Sequence, residues 1–529
     1  MDHNLVPLRM KYWKAFDRNV ILVFDEGKAP HPVYTLASVS SFIWSMCDGT
    51  HTIGGIIDNL REEYGISYDQ AQRDTIRFLD DLEAKGLIGW TGNVNDGFRV
   101  LLIDPPAIDP GIIGEGPKEP SIGLAYLAAV LSQENVETRI LDLRRLPLKW
   151  QGILNEALDE VRPQVVGITC MSPTFQNASH IAYHVKKALP QATIVLGGHH
   201  VTFMYKEVLE NNHWIDVVVI GEGEQTMREL VLRLKVGKVA DEDIKGLAYR
   251  KKGKIVISPP REFIKDLDTL PFPDPYAITI NRETYATARI LSSRGCPFPC
   301  KFCSEAGFYN RRIRYRSPGN VLDEIEHKYR KYDFRHFIFS DDLFVLDPER
   351  VREICTGIKA RDLQIEWACN TRVDTAPREI FEVMHDSGCR RLFVGVESAD
   401  NRILSAMDKH SRIENIAKGI KMVNDIGIKV SAGFIIGFPG DGRETVRKSI
   451  ELAKELQFDE LTFTFLNVYP GTDLYNNFDK YGLRHVNGLI EYSMYRPVLE
   501  SEDFTAANAM EAYLDMCYEL KVSLAKSAL

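Results

Sequence analysis

The segment Ser293-Arg294-Gly295-Cys296-Pro297-Phe298-Pro299-Cys300-Lys301-Phe302-Cys303 decides how this chain is read. Its thiols are spaced Cys-x3-Cys-x2-Cys, and the next cysteine along the chain is Cys355. Three thiolates this close can hold three irons of a four-iron, four-sulfur cube. The fourth iron then has no cysteine and can take a ligand, so the cube can do chemistry as well as pass electrons. Two other readings stand beside this one. A zinc site wants four ligands and commonly paired Cys-x2-Cys units. The third reading is a set of buried, unreactive thiols.

The 529 residues are 44% hydrophobic and 26% charged, an ordinary globular composition. That length has room for about three or four domains. A net charge of −9 argues against a general nucleic-acid binder. No apolar run is long enough to span a bilayer, and Met1-Asp2-His3-Asn4 does not open a secretory signal. Nine cysteines, three of them clustered, do not make a disulfide framework. A cytoplasmic, reducing location is expected.

Working outward from the cysteines, residues 283–470 alternate strand and helix. Strands are expected at Arg289 to Ser292, His336 to Ser340, Ile365 to Cys369, Arg391 to Val396, Lys429 to Ile436 and Glu460 to Phe465. Reactive groups on a barrel of such units sit at the carboxyl ends of strands, and the cysteine loop follows the first strand. Residues 471–529 are mixed and helical. Ala506 to Lys526 reads as one amphipathic helix that either covers the open side of the barrel or closes over substrate.

Residues 98–238 also alternate. Strands are expected at Arg99 to Asp104, Thr138 to Asp142, Gln164 to Thr169, Thr193 to Gly197 and Asp216 to Ile220, with a helix at Leu124 to Leu131. Near-continuous apolar strands imply a parallel sheet buried on both faces. Ligands bind at the carboxyl ends of such strands. There the chain reads Thr169-Cys170-Met171-Ser172-Pro173, Gly197-Gly198-His199-His200-Val201-Thr202 and Gly221-Glu222-Gly223-Glu224. Residues 239–282 read as a linker, with a hairpin around Lys251-Lys252-Gly253-Lys254 and a proline run from Leu270 to Pro275.

Residues 1–95 begin with a β-rich stretch, Asn19 to Phe24. Helices are expected at Ser38 to Cys47, stopping at Asp48-Gly49, at Thr52 to Leu60, and from Ser67 with Gln70 completing a capping box. Ile76, Leu79 and Leu82 then line one face, Gly86 ends the helix, and Leu87 to Trp90 is a strand. This is a winged-helix layout. The segment carries 9 Lys+Arg against 13 Asp+Glu, which argues against contact with nucleic-acid phosphates.

These segments carry three resemblances. The Cys-x3-Cys-x2-Cys spacing, the preceding Arg-Gly and Phe302 resemble the radical S-adenosylmethionine (SAM) superfamily. Residues 98–238 resemble the cobalamin-binding domain found upstream of many of its members. The Cys47-Asp48-Gly49-Thr50 turn and Leu82 to Ile88 resemble the PqqD-like peptide-recognition domain, which binds the leader of a ribosomally made precursor peptide along a sheet edge. The implied fold is α/β: a winged-helix domain, a doubly wound Rossmann-like domain, a partial (β/α)6 barrel and a helical tail.

The radical SAM resemblance implies that Cys296, Cys300 and Cys303 hold a [4Fe-4S] cluster whose free iron grips SAM. Reductive cleavage of SAM then yields a deoxyadenosyl radical that removes hydrogen from an unactivated carbon. Phe302 is expected against adenine, with backbone around Gly433, Ile435 and Gly437. Glu397 and Ser398 are expected at the methionine or ribose, and Asn370 and Arg372 elsewhere in the pocket. A charge at a buried strand end is costly unless paired, so Glu397 calls for a cationic or amide partner, and a structural ion pair is its other reading. Asp341-Asp342 reads mainly as a cap on the following loop.

The second resemblance implies cobalamin against Thr169, Ser172, Gly197, Gly198, His199, Thr202, Glu222 and Gly223. The Asp-x-His-x-x-Gly motif that supplies a histidine beneath cobalt elsewhere is absent from this sequence. His199 and His200 are equally readable as packing residues, and the domain as one that kept the fold without the cofactor. Together the resemblances imply C-methylation of a ribosomally made peptide through methylcobalamin, with flavodoxin or ferredoxin as electron donor. The rivals are rearrangement, ring contraction or cyclisation of a small molecule, radical modification of a peptide without cobalamin, and a non-enzymatic cobalamin-responsive regulator. The front domain could also be a packing module without a ligand.

Overall fold

The computed structural model describes residues 6–9, 12–17, 20–24, 38–47, 51, 53–84, 88–91, 98–106, 121–144, 149–238, 240, 242–274, 279–280, 285–488 and 490–521. The chain forms two compact units, Met1–Phe98 and Arg99–Leu529.

In the first unit, β1 (Val6–Arg9) pairs antiparallel with β4 (Ile88–Thr91), and β2 (Tyr12–Asp17) with β3 (Val20–Phe24). Three helices follow the hairpin: α1 (Ser38–Ser45), α2 (Ile53–Tyr64) and α3 (Tyr68–Ala84). The Ser67 hydroxyl accepts the Gln70 N–H at 3.3 Å, so α3 begins where its cap was expected. Trp44, Ile53, Ile56, Ile57 and Leu60 form the centre of the core. On α3 the buried stripe is Ala71, Thr75, Leu79 and Leu82, while Ile76 is half-buried. Spacings of three and four keep those residues on one face, and Ile76 lies one position off it. The Asp48-Gly49-Thr50 turn, Gly86 and Leu87 lie outside the described residues.

The second unit holds two sheets. The first contains β5 (Arg99–Asp104), β6 (Glu137–Asp142), β7 (Val165–Thr169), β8 (Thr193–Gly197), β9 (Val217–Val219), β10 (Leu247–Lys251) and β11 (Lys254–Ile257). Their spatial order is β11-β10-β9-β8-β7-β5-β6. Strands β5 to β9 are parallel, and Val100 to Ile103 are buried, as strands joined by helical crossovers on both faces of a sheet are. Helices α4 (Ile122–Ser132), α5 (Trp150–Val161), α6 (Phe175–Ala188), α7 (His199–Asn211) and α8 (Glu224–Lys235) connect them.

The hairpin at Lys251 to Lys254 forms as expected, but it does not belong to a linker. Leu247 to Tyr249 pair with β9 and extend the sheet. All three of those side chains are buried, so the hairpin covers an edge that would otherwise be open. Of the proline run, Pro275 lies outside the described residues.

The second sheet starts with β12 (Ala288–Ile290), a little earlier than expected. The chain then leaves the barrel for β13 (Ser293–Arg294), which pairs antiparallel with β14 (Arg314–Tyr315). That short ladder brackets the cysteine loop. The remaining strands are β15 (His336–Phe339), β16 (Glu366–Thr371), β17 (Cys389–Glu397), β18 (Lys429–Ile436) and β19 (Glu460–Phe465). All six barrel strands are parallel, in the order β12-β15-β16-β17-β18-β19, so the barrel is partial.

The C-terminal helix, Ala506–Leu520, buries Ala509, Ala512, Tyr513, Met516 and Cys517 in the barrel core. Its Glu511 and Glu519 pair with Arg443 and Arg447 of the helix before β19. It therefore covers the flank of the barrel. Residues 522–526 of the expected helix lie outside the described residues. No described helix is long and apolar enough to cross a membrane.

Candidate functional site

A cavity of about 500 Å3 opens at the cysteine loop and runs into the barrel. Cys296, Cys300 and Cys303 line it together, half-buried, and all three are free thiols. Gly295 lets the loop turn: its φ is +88°, and a Cβ there would run into the Arg312 carbonyl. Burial pushes all three thiols up, Cys303 to about 12. Among the described residues no three His, Cys, Asp or Glu side chains are gathered to chelate one ion, as a mononuclear zinc site requires. Three soft donors on one wall, each able to serve a different iron, fit a [4Fe-4S] cube.

The sequence-predicted SAM residues divide. Phe302, Asn370, Arg372, Glu397 and Gly433 face the cavity. Ile435 joins Phe302 in an apolar cluster with Ile403, Met407, Phe438 and Leu466. Gly437, at φ +96°, donates its N–H to Asp441 at 3.0 Å. Ser398 is turned away, because β17 ends at Glu397, whose φ of +65° turns the chain out of the strand. Its hydroxyl accepts the Asp400 N–H at 3.2 Å beside a small void against Val446 and Ser449.

Glu397 has the cationic partner its position demanded. Lys409 Nζ lies 2.8 Å from its carboxylate, and both side chains are almost wholly buried yet line the cavity. Arg372 is held by Asp374 at 3.0–3.1 Å, by the carbonyls of Lys409 and His410, and by the Phe298 ring 4.2 Å away. Its orientation is therefore fixed before any ligand arrives.

The two adjacent aspartates have separate tasks. Asp341 is fully buried and accepts the Ser292 N–H at 2.7 Å and both the Ser292 and Ser293 hydroxyls. It fixes the chain at the foot of the cysteine loop. Asp342 opens onto the cavity instead. Desolvation, then the charges of Glu305 and Asp341, push its carboxyl up to about 7. An acid raised in the folded state loses stability as pH climbs from its unfolded to its folded pKa. Asp342 is exposed to solvent within the cavity, so Asp342→Asn in the metal-free chain is expected to be only slightly more stable than the parent. The gain should grow between about pH 4 and 7 and level off above, read from thermal midpoints across pH. A gain independent of pH would count against this assignment.

A second cavity, of about 290 Å3, lies at the carboxyl ends of β7, β8 and β9. Thr169, Gly197, Gly198, His199, Glu222 and Gly223 line it, with α4 and the barrel residues Arg294, Phe308 and Tyr309. Gly198 has φ +110°, and a Cβ there would meet the Cys170 carbonyl oxygen at 2.6 Å. The floor is thus built of backbone, as a flat ligand pressed on the strand ends requires. Thr202 accepts the Gly221 N–H at 3.0 Å and so holds the loop in place. Ser172 lies apart, bonded to His200 Nδ1 at 3.0 Å in a third cavity. These residues fit a bound cobalamin through a backbone cradle, a hydroxyl at Thr169 and an apolar wall from α4.

Contacts missed by the linear reading hold the two cavities together. Arg294 pairs with Glu222 at 2.9 Å and Glu224 at 2.6 Å, and Arg314 makes a two-pronged contact with Glu222 at 2.9 Å. Burial works to raise the Glu222 carboxyl, but the two guanidinium groups hold it below its ordinary value. His199 stacks on Phe308 with ring centres 4.1 Å apart. Its Nε2 lies 2.9 Å from Glu305, within ion-pair distance though outside hydrogen-bond alignment. His199 lines one cavity and Glu305 the other. The one clue in the sequence was Arg294 beside Gly295; nothing marked Lys409 or Arg314.

Known proteins align with this architecture. The B12 binding domain model matches residues 115–231, the Radical SAM superfamily model residues 290–471, and the model of coenzyme PQQ synthesis protein D (PqqD) residues 20–88. An uncharacterized methyltransferase of Pyrococcus horikoshii, PH0819, is 32% identical over 77% of this chain and 89% of its own. The anaerobic magnesium-protoporphyrin IX monomethyl ester cyclase of Rubrivivax gelatinosus is 31% identical over 71% of this chain and 69% of its own. The structure of the radical SAM methyltransferase TsrM from Kitasatospora setae, with cobalamin and [4Fe-4S] cluster bound, superposes with a TM-score of 0.65. It covers 80% of this chain and 88% of TsrM at 19% identity, a likeness of fold. A [4Fe-4S] cluster, SAM and cobalamin are the cofactors these domains imply. The chain belongs to the cobalamin-binding radical SAM enzymes and carries a PqqD-like domain at its front.

Proposed function

We propose that this enzyme methylates an unactivated carbon of a ribosomally made peptide whose leader is held by the front domain. One observation carries the reading: a PqqD-like unit is joined to a chain that holds both the radical SAM and the B12-binding architecture. Bound together, the cofactors supply a hydrogen-abstracting radical and a methyl donor.

The chain's own part is positioning. Cys296, Cys300 and Cys303 would hold the cluster, and Lys409, Glu397 and Arg372 offer the carboxylate and ammonium ends of SAM fixed opposite charges. Phe302 offers a ring face for adenine, and the backbone at Gly433 lets it approach. Thr169, Gly197, Gly198 and His199 would carry cobalamin. Arg294 and Arg314 clamp the sheet that carries it against the barrel, where His199 of one cavity meets Glu305 of the other at 2.9 Å. A carbon radical must be held near its methyl source, and this clamp supplies that proximity. The cluster would draw its electron from flavodoxin or ferredoxin.

The test is a titration of full-length reconstituted enzyme with a synthetic leader, followed by turnover of the complete precursor. Leader binding and the mass gain of one methyl group are expected. A leader that does not bind, or a product without added mass, would overturn the reading. Lys409→Met provides a separate check on SAM. It removes the cation facing Glu397 and the cavity, so the KM for SAM is expected to rise about 10- to 100-fold, the loss of one charge-assisted hydrogen bond. An unchanged KM would remove Lys409 from the site.

A further inference from the structure

The third cavity, of about 350 Å3, opens between α6, α7 and the C-terminal segment around Tyr475 and residues 490–496. It shares no lining residue with the other two.

The walls are aromatic. Phe175 lies 4.5 Å from the His200 ring, and Tyr492 stands edge-on to that ring at 6.3 Å. Tyr469 is stacked behind Tyr492 at 5.7 Å, and the Tyr475 hydroxyl meets Met204 Sδ at 3.3 Å. Burial lowers the His200 pKa to about 4, so the ring is a neutral face at physiological pH. The charges lie at the rim. Arg496 and Glu491 neutralise each other at 2.7 Å, and Glu207 is exposed. The exposed side-chain amides of Gln176 and Asn211 make no hydrogen bond among the described residues.

We infer that this cavity binds an uncharged aromatic side chain of the substrate, while the rim amides bond the backbone that carries it. Flat walls and a polarizable sulfur favour a ring over an alkyl group, and a charged group would lose its hydration against a neutral lining. The assignment rests on the proposal that the substrate is a peptide.

The test uses full-length, cobalamin-loaded enzyme and two probes, N-acetyl-L-phenylalaninamide and N-acetyl-L-alaninamide, by saturation-transfer NMR. The aromatic probe is expected to bind at least about tenfold more tightly than the alanine probe. Val208→Trp, which fills the cavity, should remove that preference. Gln176→Trp should do the same from an exposed position, where no core packing is disturbed, and cobalt content should hold in both. Equal binding of the two probes, or a preference that survives both substitutions, would overturn the inference. The leader titration separates the two claims. A leader that fails to bind while the aromatic probe binds removes the peptide reading and leaves only a cavity that binds aromatic rings. A leader that binds while the aromatic probe does not removes only this cavity's assignment.

Discussion

Alanine in place of any one of Cys296, Cys300 or Cys303 is expected to bring reductive SAM cleavage to the enzyme-free background. Iron and sulfide in anaerobically reconstituted protein should fall with it. The three thiols share one cavity wall and have no disulfide partners. Burial holds each one protonated in the metal-free chain. Cluster assembly must therefore displace three protons, and the favourable iron–sulfur bonds offset that cost only as a set. The loop can give two thiolates in such a variant, and a cube with two protein ligands is exposed to loss. The fold should survive, because the cysteines are half-buried and lie outside the barrel's apolar core. Circular dichroism and iron content measured on the same sample separate the two effects. Zinc in place of iron, or full turnover in any of the three variants, would end the assignment.

Arg294→Met is expected to destabilise the protein by about 3–5 kcal/mol, the cost of leaving buried charge without its partner. Arg294 is 7% exposed, and its guanidinium is shared between Glu222 and Glu224, which are as deeply buried. Methionine fills a similar volume but supplies no charge. Arg314 would still hold Glu222, so Glu224 bears most of the loss. Because Glu222, Glu224 at the start of α8, and Arg294 of β13 all line the second cavity, retention of cobalamin bound there should fall together with stability. Urea unfolding midpoints and cobalt content after gel filtration read both. A shift under about 1 kcal/mol would mean that water or neighbouring groups already compensate the pair.

The strand and helix sequence of the second unit was legible because its strands are short runs rich in apolar residues that alternate with helical segments. β5, β8, β18 and β19 begin and end at the residues expected of them. Errors fell where a pattern of that kind is missing. Leu247 to Tyr249 read as part of a linker because three residues beside a lysine-rich turn carry little periodicity, and only the β9 edge shows why they are a strand. Ile76, expected on the buried face of α3, lies one position off it, beside the buried Thr75.

Covalent spacing alone brought the three cysteines together, since all three thiols lie within one loop and their separation is local. The order of the domains was equally written in the chain. Tertiary structure decided the rest of the site. Lys409 reaches Glu397 across 12 residues, and Arg294 reaches Glu222 across 72. Such pairs form because an ionised group at a buried strand end must find an opposite charge wherever the fold brings one, and linear sequence does not record which one that is. The same reason separates Asp341 from Asp342: adjacent in the chain, one is buried among hydroxyls and the other faces the reacting space.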